Sequence, residues 1–180
     1  PLAAPSANIT TRISAVQASD VEEEFGNKVK YVLDGGKCSI GIESTIINLV
    51  GKPKILRLGG LDPSKIEKVL GFKINSNINP KIKTAPGQSR LHYSPGIPLK
   101  MNAVKPKYEE AFILIKKRKT KLKNYFYISK ENDLNQAAKN LYTCLRKIKK
   151  KGYKSIAVEK IPNRGLGKTI NDRLNRASKF

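Results

Sequence analysis

The alternation of hydrophobic and polar residues is clearest in residues 103–180, where it predicts an α/β domain. Strands are predicted at residues 111–115, 125–128 and 155–158, and helices at residues 132–151 and 167–179. Apolar residues recur every three or four positions on both helices. The predicted buried faces are Leu134, Ala138, Leu141, Leu145 and Ile148 on the first helix, and Ile170, Leu174 and Ala177 on the second. Because strands alternate with helices, we expect a small, parallel, Rossmann-like sheet.

Residues 1–72 carry shorter apolar runs separated by turn residues, which also indicate an α/β unit. Strands are predicted at residues 29–33, 45–50 and 54–58. The Gly51-Lys52-Pro53 turn between the last two strands is typical of a hairpin.

Two short helices are predicted in the same stretch. The first covers residues 21–25, with Asp20 as its N-cap and Gly26 at its end. The second begins at Pro63 and ends at Gly71. Its predicted apolar face consists of Ile66, Val69 and Leu70.

The segment between these two units, residues 73–102, has no hydrophobic periodicity and is rich in Asn, Pro, Lys and Ser. A connection of this length is either disordered or functional. It contains Ala-Pro-Gly-Gln-Ser-Arg-Leu-His-Tyr-Ser-Pro at residues 85–95, which we call the linker motif. Proline and glycine fix turns in the motif, while His92 and Tyr93 supply a pair of rings, so we expect a functional segment.

Charge leaves two interpretations open. The chain has 36 Lys and Arg residues against 14 Asp and Glu residues, a net charge of +22. Such an excess is typical of nucleic-acid binding, but it also follows from a lysine-biased composition. The basic runs at residues 116–119 and 146–151 are not interleaved with aromatic residues, as a single-strand platform would be. We therefore favour the compositional explanation.

The remaining composition excludes several classes of site. Cys38 and Cys144 stand far apart and belong to no metal or redox motif, which indicates reduced thiols in a cytoplasmic protein. His92 is the single histidine, which argues against a histidine-rich metal site. Apolar runs fall well short of the roughly 20 residues that a membrane span needs.

Two loops of small residues, 1–8 and 35–45, offer hydroxyls and free backbone N–H groups, which suit an anionic or nucleotide ligand. The first of them stands at residue 1 without a preceding Met. We therefore expect a C-terminal fragment that lacks the first half of its first domain, exposes apolar strand edges and catalyses poorly alone.

At four places the first unit resembles the second half of the YrdC-like domain: Pro-Ser-Ala-Asn (5–8), Leu-Asp-Gly-Gly-x-Cys (33–38), Gly-Ile-Glu-Ser-Thr (41–45) and Ile-Leu-Arg-x-Gly (55–59). The linker motif resembles that of the two-domain threonylcarbamoyl-AMP synthases. Gly-Leu-Gly-x-x-Ile-x-Asp-Arg-Leu-x-Arg-Ala (165–177) is similar to the end of their C-terminal domain. The resemblance implies an α/β fold: half of a twisted open YrdC-like domain (1–72), a linker with a lid motif (73–102) and a Rossmann-like domain (103–180).

The resemblance also implies a reaction. L-Threonine, bicarbonate and ATP would give threonylcarbamoyl-adenylate and pyrophosphate, with Mg²⁺ expected beside the ATP. A downstream transferase complex would then modify the adenosine next to the anticodon of tRNA, so that tRNA is an indirect partner and weak RNA binding is expected. No membrane partner is implied.

Site residues are carried over motif by motif. The resemblance implies ATP contacts from Ser6, Ser14, Arg57 and Tyr93, threonine contacts from Ala4 and Ser44, and support from Asn8, Thr45 and His92. No residue is assigned as a general acid or base, and no metal ligand is assigned. The chain departs from the family pattern at Ser14-Ala15, where the family has Ser-Pro, and at Arg90-Leu91, where it has Tyr-Arg.

Several residues have structural interpretations. We expect Glu43 to form an internal salt bridge, Cys38 to be a small buried residue, and Arg173 and Arg176 to lie on the domain surface. Two other functions compete with the synthase: a basic module that binds double-stranded RNA or tRNA without catalysis, and the related carbamoyl-transfer domain of hydrogenase maturation proteins. The linker motif and the second α/β domain count against the latter.

Overall fold

A computed structural model describes residues 6–119 and 122–179, and in these residues the strands form two sheets. The first sheet has the order β1-β2-β3, and the second has the order β4-β7-β5-β6. The strands are β1 (Ile46–Asn48), β2 (Lys54–Arg57), β3 (Asn75–Ser76), β4 (Leu99–Lys100), β5 (Ala111–Leu114), β6 (Tyr125–Tyr127) and β7 (Ile156–Val158). The α-helices are α1 (Ala18–Phe25), α2 (Pro63–Leu70), α3 (Leu134–Lys150) and α4 (Leu166–Ala177), and a short 3₁₀ helix covers Gly26–Lys28.

The second sheet confirms the parallel sheet predicted within residues 103–180. All its pairings are parallel, and α3 and α4 pack over it. The predicted apolar faces of both helices are buried, apart from Leu134, which is half-buried against the same core. The two central strands of this sheet are β5 and β7. Their residues, 111–114 and 156–158, are all buried, so the centre of the sheet is covered on both faces.

The main core also takes residues from the first stretch and from the linker motif. Ile13 and Val16 are each 3% exposed, and Tyr93 is 1% exposed, all within the cluster built on α3 and α4. Arg146 of α3 donates to the Ile13 carbonyl oxygen at 2.7 Å. The loop before α1 is therefore seated on the C-terminal sheet unit.

In the first stretch, the predicted hairpin is confirmed with shorter strands. β1 and β2 pair antiparallel, with an irregularity between Ile46 and Ile47. The predicted helix from Pro63 to Gly71 is also confirmed, because Asp62 accepts from the Ser64 N–H as N-cap and Gly71 has a left-handed backbone.

Three predictions for this stretch are wrong. Residues 29–33 form no strand, and they have no neighbouring strand among the described residues to complete a ladder; Leu33 is 96% exposed. Asp20 is not the N-cap of α1 but lies in its first turn, where its carboxylate accepts from the Val16 N–H at 2.9 Å. The apolar face of α2 is not buried, since Val69 is 86% exposed.

Residues 73–102 are ordered by hydrogen bonds at both ends. β3 pairs with β2 of the first sheet, and β4 pairs with β7 of the second. Between them, the Gln88 side-chain amide donates to the carbonyl oxygens of Leu56 and Asn77 and accepts from the Thr84 and Ala85 N–H groups. This buried amide fixes the start of the linker motif against β2.

None of the helices in the described residues is long and apolar enough to cross a membrane.

We expect Gly59→Ala to lower the free energy of unfolding by about 1–3 kcal/mol. A β-carbon on Gly59 would lie 2.1 Å from the Ser44 carbonyl carbon and 2.2 Å from the Thr45 amide nitrogen, so the backbone leading into β1 would have to move. Denaturant unfolding measures the loss. Gly35→Ala is the control, because a β-carbon there meets no atom within 4 Å and its backbone is not left-handed. Equal losses in the two variants would contradict the steric explanation.

Candidate functional site

A cavity of about 600 Å³ opens between the loops of the first stretch and α3. Its wall is built mainly from residues 14–18 and 35–43, where small residues alternate with larger apolar side chains such as Val16, Ile40 and Ile42, together with Ser6. Tyr142 of α3 closes the wall on the side of the C-terminal unit. The volume falls in the range usual for small-molecule sites. The structure therefore brings two of the predicted ATP contacts, Ser6 and Ser14, to one cavity.

Glu43 is the acidic residue in this wall, and its carboxylate accepts hydrogen bonds from two hydroxyls. The Ser14 Oγ donates to Oε1 at 2.5 Å, and the Tyr142 hydroxyl donates to Oε2 at 2.9 Å. The hydroxyl of Ser14 is thus directed at a carboxylate of the protein in this structure.

Glu43 also forms the predicted salt bridge, and its partner is Arg173 of α4. The Arg173 Nε lies 3.0 Å from Glu43 Oε2, and the Arg173 side chain is 1% exposed. Burial would raise the pKa of the Glu43 carboxyl, but the charge of Arg173 and the Ser14 hydroxyl outweigh it, so that pKa lies below its usual value. Glu43 is held as a carboxylate whose charge is matched inside the protein.

Arg57 and Ser44 form a second group on the first sheet. Arg57 Nε donates to the Ser44 carbonyl oxygen at 3.0 Å, and Nη2 donates to the Ser44 hydroxyl oxygen at 3.1 Å. Ser44 is exposed and Arg57 is half-buried. The predicted phosphate contact and the predicted threonine contact are therefore neighbours, and the guanidinium is oriented by the serine.

Tyr93 lies under this group, deep in the core. Its ring stacks on Tyr142 with centroids 5.9 Å apart, and the Arg173 guanidinium lies 4.5 Å from its ring centre on a face. Burial raises the pKa of the Tyr93 hydroxyl to about 12, and this hydroxyl finds no hydrogen-bond partner among the described residues. A β-carbon on Gly87 would lie 2.2 Å from the Tyr93 hydroxyl oxygen, so the motif needs glycine at that position.

The backbone of Tyr93 is left-handed, with φ of 59°. Non-glycine residues adopt this region rarely and at a cost, and such residues cluster at functional sites. His92 participates locally, because its Nδ1 accepts from the Tyr93 N–H at 2.9 Å. Burial lowers the pKa of His92, which favours the neutral ring that this contact requires.

The other predicted site residues make contacts within the protein. Thr45 Oγ1 donates to the Leu61 carbonyl oxygen at 2.6 Å, and Asn8 donates to the Ile9 and Arg12 carbonyl oxygens. The supporting roles predicted for Asn8 and Thr45 stay predictions. Ala4 lies outside the described residues.

Two structural predictions are wrong. Cys38 is exposed rather than buried, because it lies in the open loop of the cavity wall. Arg173 and Arg176 are not on the surface; they are 1% and 5% exposed. Arg176 donates to the Ser89 and Ile78 carbonyl oxygens, and Arg173 to the Leu58 carbonyl oxygen, so α4 contacts the residue that follows β2 and the linker segment directly.

A signal for Arg173 exists in the sequence. It stands three residues after Ile170 and four before Ala177, within the apolar stripe of α4. An arginine at a core position needs a buried anion, which is here Glu43. Tyr142 carries no comparable signal, because a tyrosine beside Leu141 is ordinary for a buried helix.

In the part of the chain that the structure describes, no group of three or more His, Cys, Asp or Glu side chains could hold a metal ion.

We expect Arg173→Met to lower the free energy of unfolding by about 3–5 kcal/mol, because it leaves the Glu43 carboxylate buried without its counter-charge. Arg118→Met is the control, since the Arg118 side chain that pairs with Glu159 is 55% exposed and its loss should cost less than about 1 kcal/mol. Chemical denaturation of both variants gives the comparison. A loss for Arg173→Met as small as that for Arg118→Met would show that the pair does not hold the two units together.

The lowered pKa of Glu43 predicts a pH dependence of stability. Its contribution is fully present above the ordinary carboxyl pKa of 4.5 and is lost as the pH falls through the lower folded value. The difference in unfolding free energy between the wild type and Glu43→Gln should therefore be constant at neutral pH and shrink below pH 4.5. Glu22→Gln removes an exposed carboxylate and should keep the wild-type profile. A difference that grows on acidification would contradict this prediction.

Comparison with known proteins agrees with this geometry. Residues 61–179 match the family described as "Threonylcarbamoyl-AMP synthase, C-terminal domain", and residues 1–59 match the family described as "Telomere recombination". A threonylcarbamoyl-AMP synthase of Pyrococcus abyssi is 33% identical over 200 residues, covering 100% of this chain and 58% of the relative. One of Bacillus subtilis is 27% identical over 197 residues, covering 99% of this chain and 57% of the relative.

The solved structures give the same result. The crystal structure of P. abyssi Sua5 complexed with L-threonine superposes with a TM-score of 0.83 at 29% identity, covering 97% of this chain and 57% of that one. A variant of P. abyssi Sua5 with adjacent histidine and tyrosine replaced by alanine superposes with a TM-score of 0.79 at 28% identity, covering 97% of this chain and 56% of that one. The chain spans a little over half the length of these relatives. Since one family match alone covers residues 61–179, the chain belongs to the threonylcarbamoyl-AMP synthase family.

Proposed function

We propose that the protein containing this chain joins L-threonine, bicarbonate and ATP into threonylcarbamoyl-adenylate and releases pyrophosphate. The observation that carries the proposal is the superposition, over 97% of this chain, on a relative whose structure is named as a complex with L-threonine. The cavity, and the Ser44–Arg57 pair that follows the cavity-lining Glu43 in the chain, supply chemistry that suits such a reaction.

The chemistry is mainly a problem of charge and position. The threonine carboxylate, a carbamate and a triphosphate must come together, and negative charge grows on the phosphates as pyrophosphate leaves. Arg57 suits that charge, because a guanidinium binds phosphate oxygens through two parallel hydrogen bonds. Its two contacts with Ser44 already fix the plane of the guanidinium before a substrate arrives.

Ser44 would then contact threonine with the hydroxyl that Arg57 polarises, and Ala4 would contribute backbone groups nearby. Ser6 and Ser14 would contact ATP from the cavity wall. Asn8, Thr45 and His92 would support these loops through the contacts described above.

Tyr93 would contact ATP through its hydroxyl, which is buried and has no partner among the described residues. A buried hydroxyl without a partner is unfavourable, and a phosphate oxygen would satisfy it. The linker motif would then act as a lid that excludes water from the reaction. One solved relative has alanine in place of an adjacent histidine and tyrosine, and His92-Tyr93 is the one such dipeptide in this chain.

The remaining elements of the proposal concern the substrate and the setting. Mg²⁺ would enter as the metal complex of ATP, held largely by the phosphates, as is usual for this ion. A transferase complex would carry the threonylcarbamoyl group to the adenosine beside the anticodon of tRNA. These steps belong in the cytoplasm, as the reduced cysteines predict. The proposed domains are residues 1–72, 73–102 and 103–180, the last of them Rossmann-like.

We expect Arg57→Ala to reduce pyrophosphate release about 10- to 100-fold, the equivalent of one charge-assisted hydrogen bond. The measurement uses the full-length protein and follows pyrophosphate release from ATP with threonine and bicarbonate each present or withheld. Release should require both.

Arg164→Ala is the matched control, because Arg164 is an exposed arginine in the loop before α4. It should leave the rate unchanged. Release that ignores threonine, or no release from a folded full-length protein, would contradict the proposed function. A normal rate of pyrophosphate release by Arg57→Ala would show that Arg57 is not a site residue, and it would leave the proposed reaction itself unchallenged.

A further inference from the structure

A lysine-rich groove lies on the C-terminal unit, away from the cavity described above. Two adjoining hollows of about 380 and 840 Å³ share Lys123, Tyr125 and Lys151 in their walls, so they form one continuous depression. It runs from the edge strand β6 and α3 to the amino-terminal end of the second sheet. We call it the lysine–tyrosine groove. Its lysines are Lys105, Lys107, Lys123, Lys147, Lys151 and Lys154.

These lysines come from four separate segments, and their charges are not compensated locally. All six are exposed, and within residues 6–119 and 122–179 none of them forms an ion pair. Glu109 is the acidic residue in the groove wall. A concave surface with this balance attracts and concentrates polyanions.

Folding places tyrosines among these lysines. Tyr125 and Tyr127 of β6 reach the groove beside Lys147 of α3 and Lys151, the residue after that helix, and Tyr108 and Tyr153 line its other half. Tyr108 is 93% exposed, so its ring is open for stacking. The basic run at 146–151 contains no aromatic residue in sequence, yet in space it faces two.

A further polar group lies in the groove wall. The Thr143 Oγ1 is buried and has no hydrogen-bond partner among the described residues. This hydroxyl is closed to solvent, so it adds an unpaired polar atom beneath the groove floor. A membrane surface is flat and would not follow this concave wall, whereas a flexible chain would.

We propose that the lysine–tyrosine groove binds single-stranded RNA. Lysines that track a phosphate backbone, with aromatic rings on which bases stack, are the two components of single-strand recognition. Tyr108 supplies the open ring, and Lys123 and Lys151 lie where the two hollows join. This inference does not rest on the proposed synthase activity, because RNA binding is measured without ATP or threonine.

The test is fluorescence anisotropy of the full-length protein with a labelled RNA of about 12 nucleotides that has no secondary structure. Lys123→Ala/Lys151→Ala should weaken binding at least tenfold. It should also reduce the slope of log K against log salt by about 1.4, since each lost phosphate contact removes about 0.7. The matched control is Lys116→Ala/Lys117→Ala, which removes the same charge from exposed residues after β5. It should leave both values near those of the wild type.

Tyr108→Ala should weaken binding about 5- to 100-fold, the range for one stacked base, whereas Tyr108→Phe should keep most of it. Equal losses in the two lysine pairs would overturn the proposal in favour of unspecific attraction to the net charge. Wild-type RNA binding by Tyr108→Ala would also overturn the proposal. A third contrary result would be that Lys123→Ala/Lys151→Ala loses binding to phosphatidylserine vesicles but keeps its binding to RNA. None of these outcomes bears on pyrophosphate release.

Discussion

The arrangement of this protein depends on the carboxylate of Glu43, where three parts of the chain meet. Ser14 from the first loop, Tyr142 from α3 and Arg173 from α4 all donate to it. A buried carboxylate without these donors would cost several kcal/mol, so the three contacts must form together. Because Glu43 directly precedes Ser44, they also fix the backbone that leads into β1 and presents Ser44 to Arg57.

α4 extends this constraint along its length. Thr169 donates to the Gly59 carbonyl oxygen, Arg173 to that of Leu58, and Arg176 to that of Ser89 in the linker motif. These carbonyl oxygens belong to segments that leave strands or turn, where the backbone lacks partners of its own. The C-terminal unit therefore supplies the hydrogen bonds that hold β2 and the linker motif in place. Changes far from the cavity, on α4, should be felt at Arg57 and Tyr93.

Sequence reasoning succeeded where burial follows from local periodicity. The faces of α3 and α4 were predictable because a parallel sheet beneath them buries every apolar residue at helical spacing. It failed at residues 29–33, since a β-prone run becomes a strand only beside another strand. It also failed at Val69, because the apolar face of α2 packs there against no other element of the described residues and stays exposed. Motifs predicted Ser44 and Arg57 as site residues, and the structure places the two in hydrogen-bond contact. Glu43 and Arg173 are 130 residues apart, and no local pattern records which arginine would meet the glutamate.

The energetics of buried ion pairs suggest why this one is used at the cavity wall. Well-packed apolar residues often replace such pairs without loss of stability, so stability alone does not explain Glu43 and Arg173. A methionine or leucine could fill the same space, but it could not orient the hydroxyls of Ser14 and Tyr142. A carboxylate without Arg173 would repel anionic reactants from the wall that Ser6 and Ser14 share. Paired with Arg173, Glu43 aligns the hydroxyls while leaving the wall near neutral, which the proposed binding of carboxylate and phosphate groups would require.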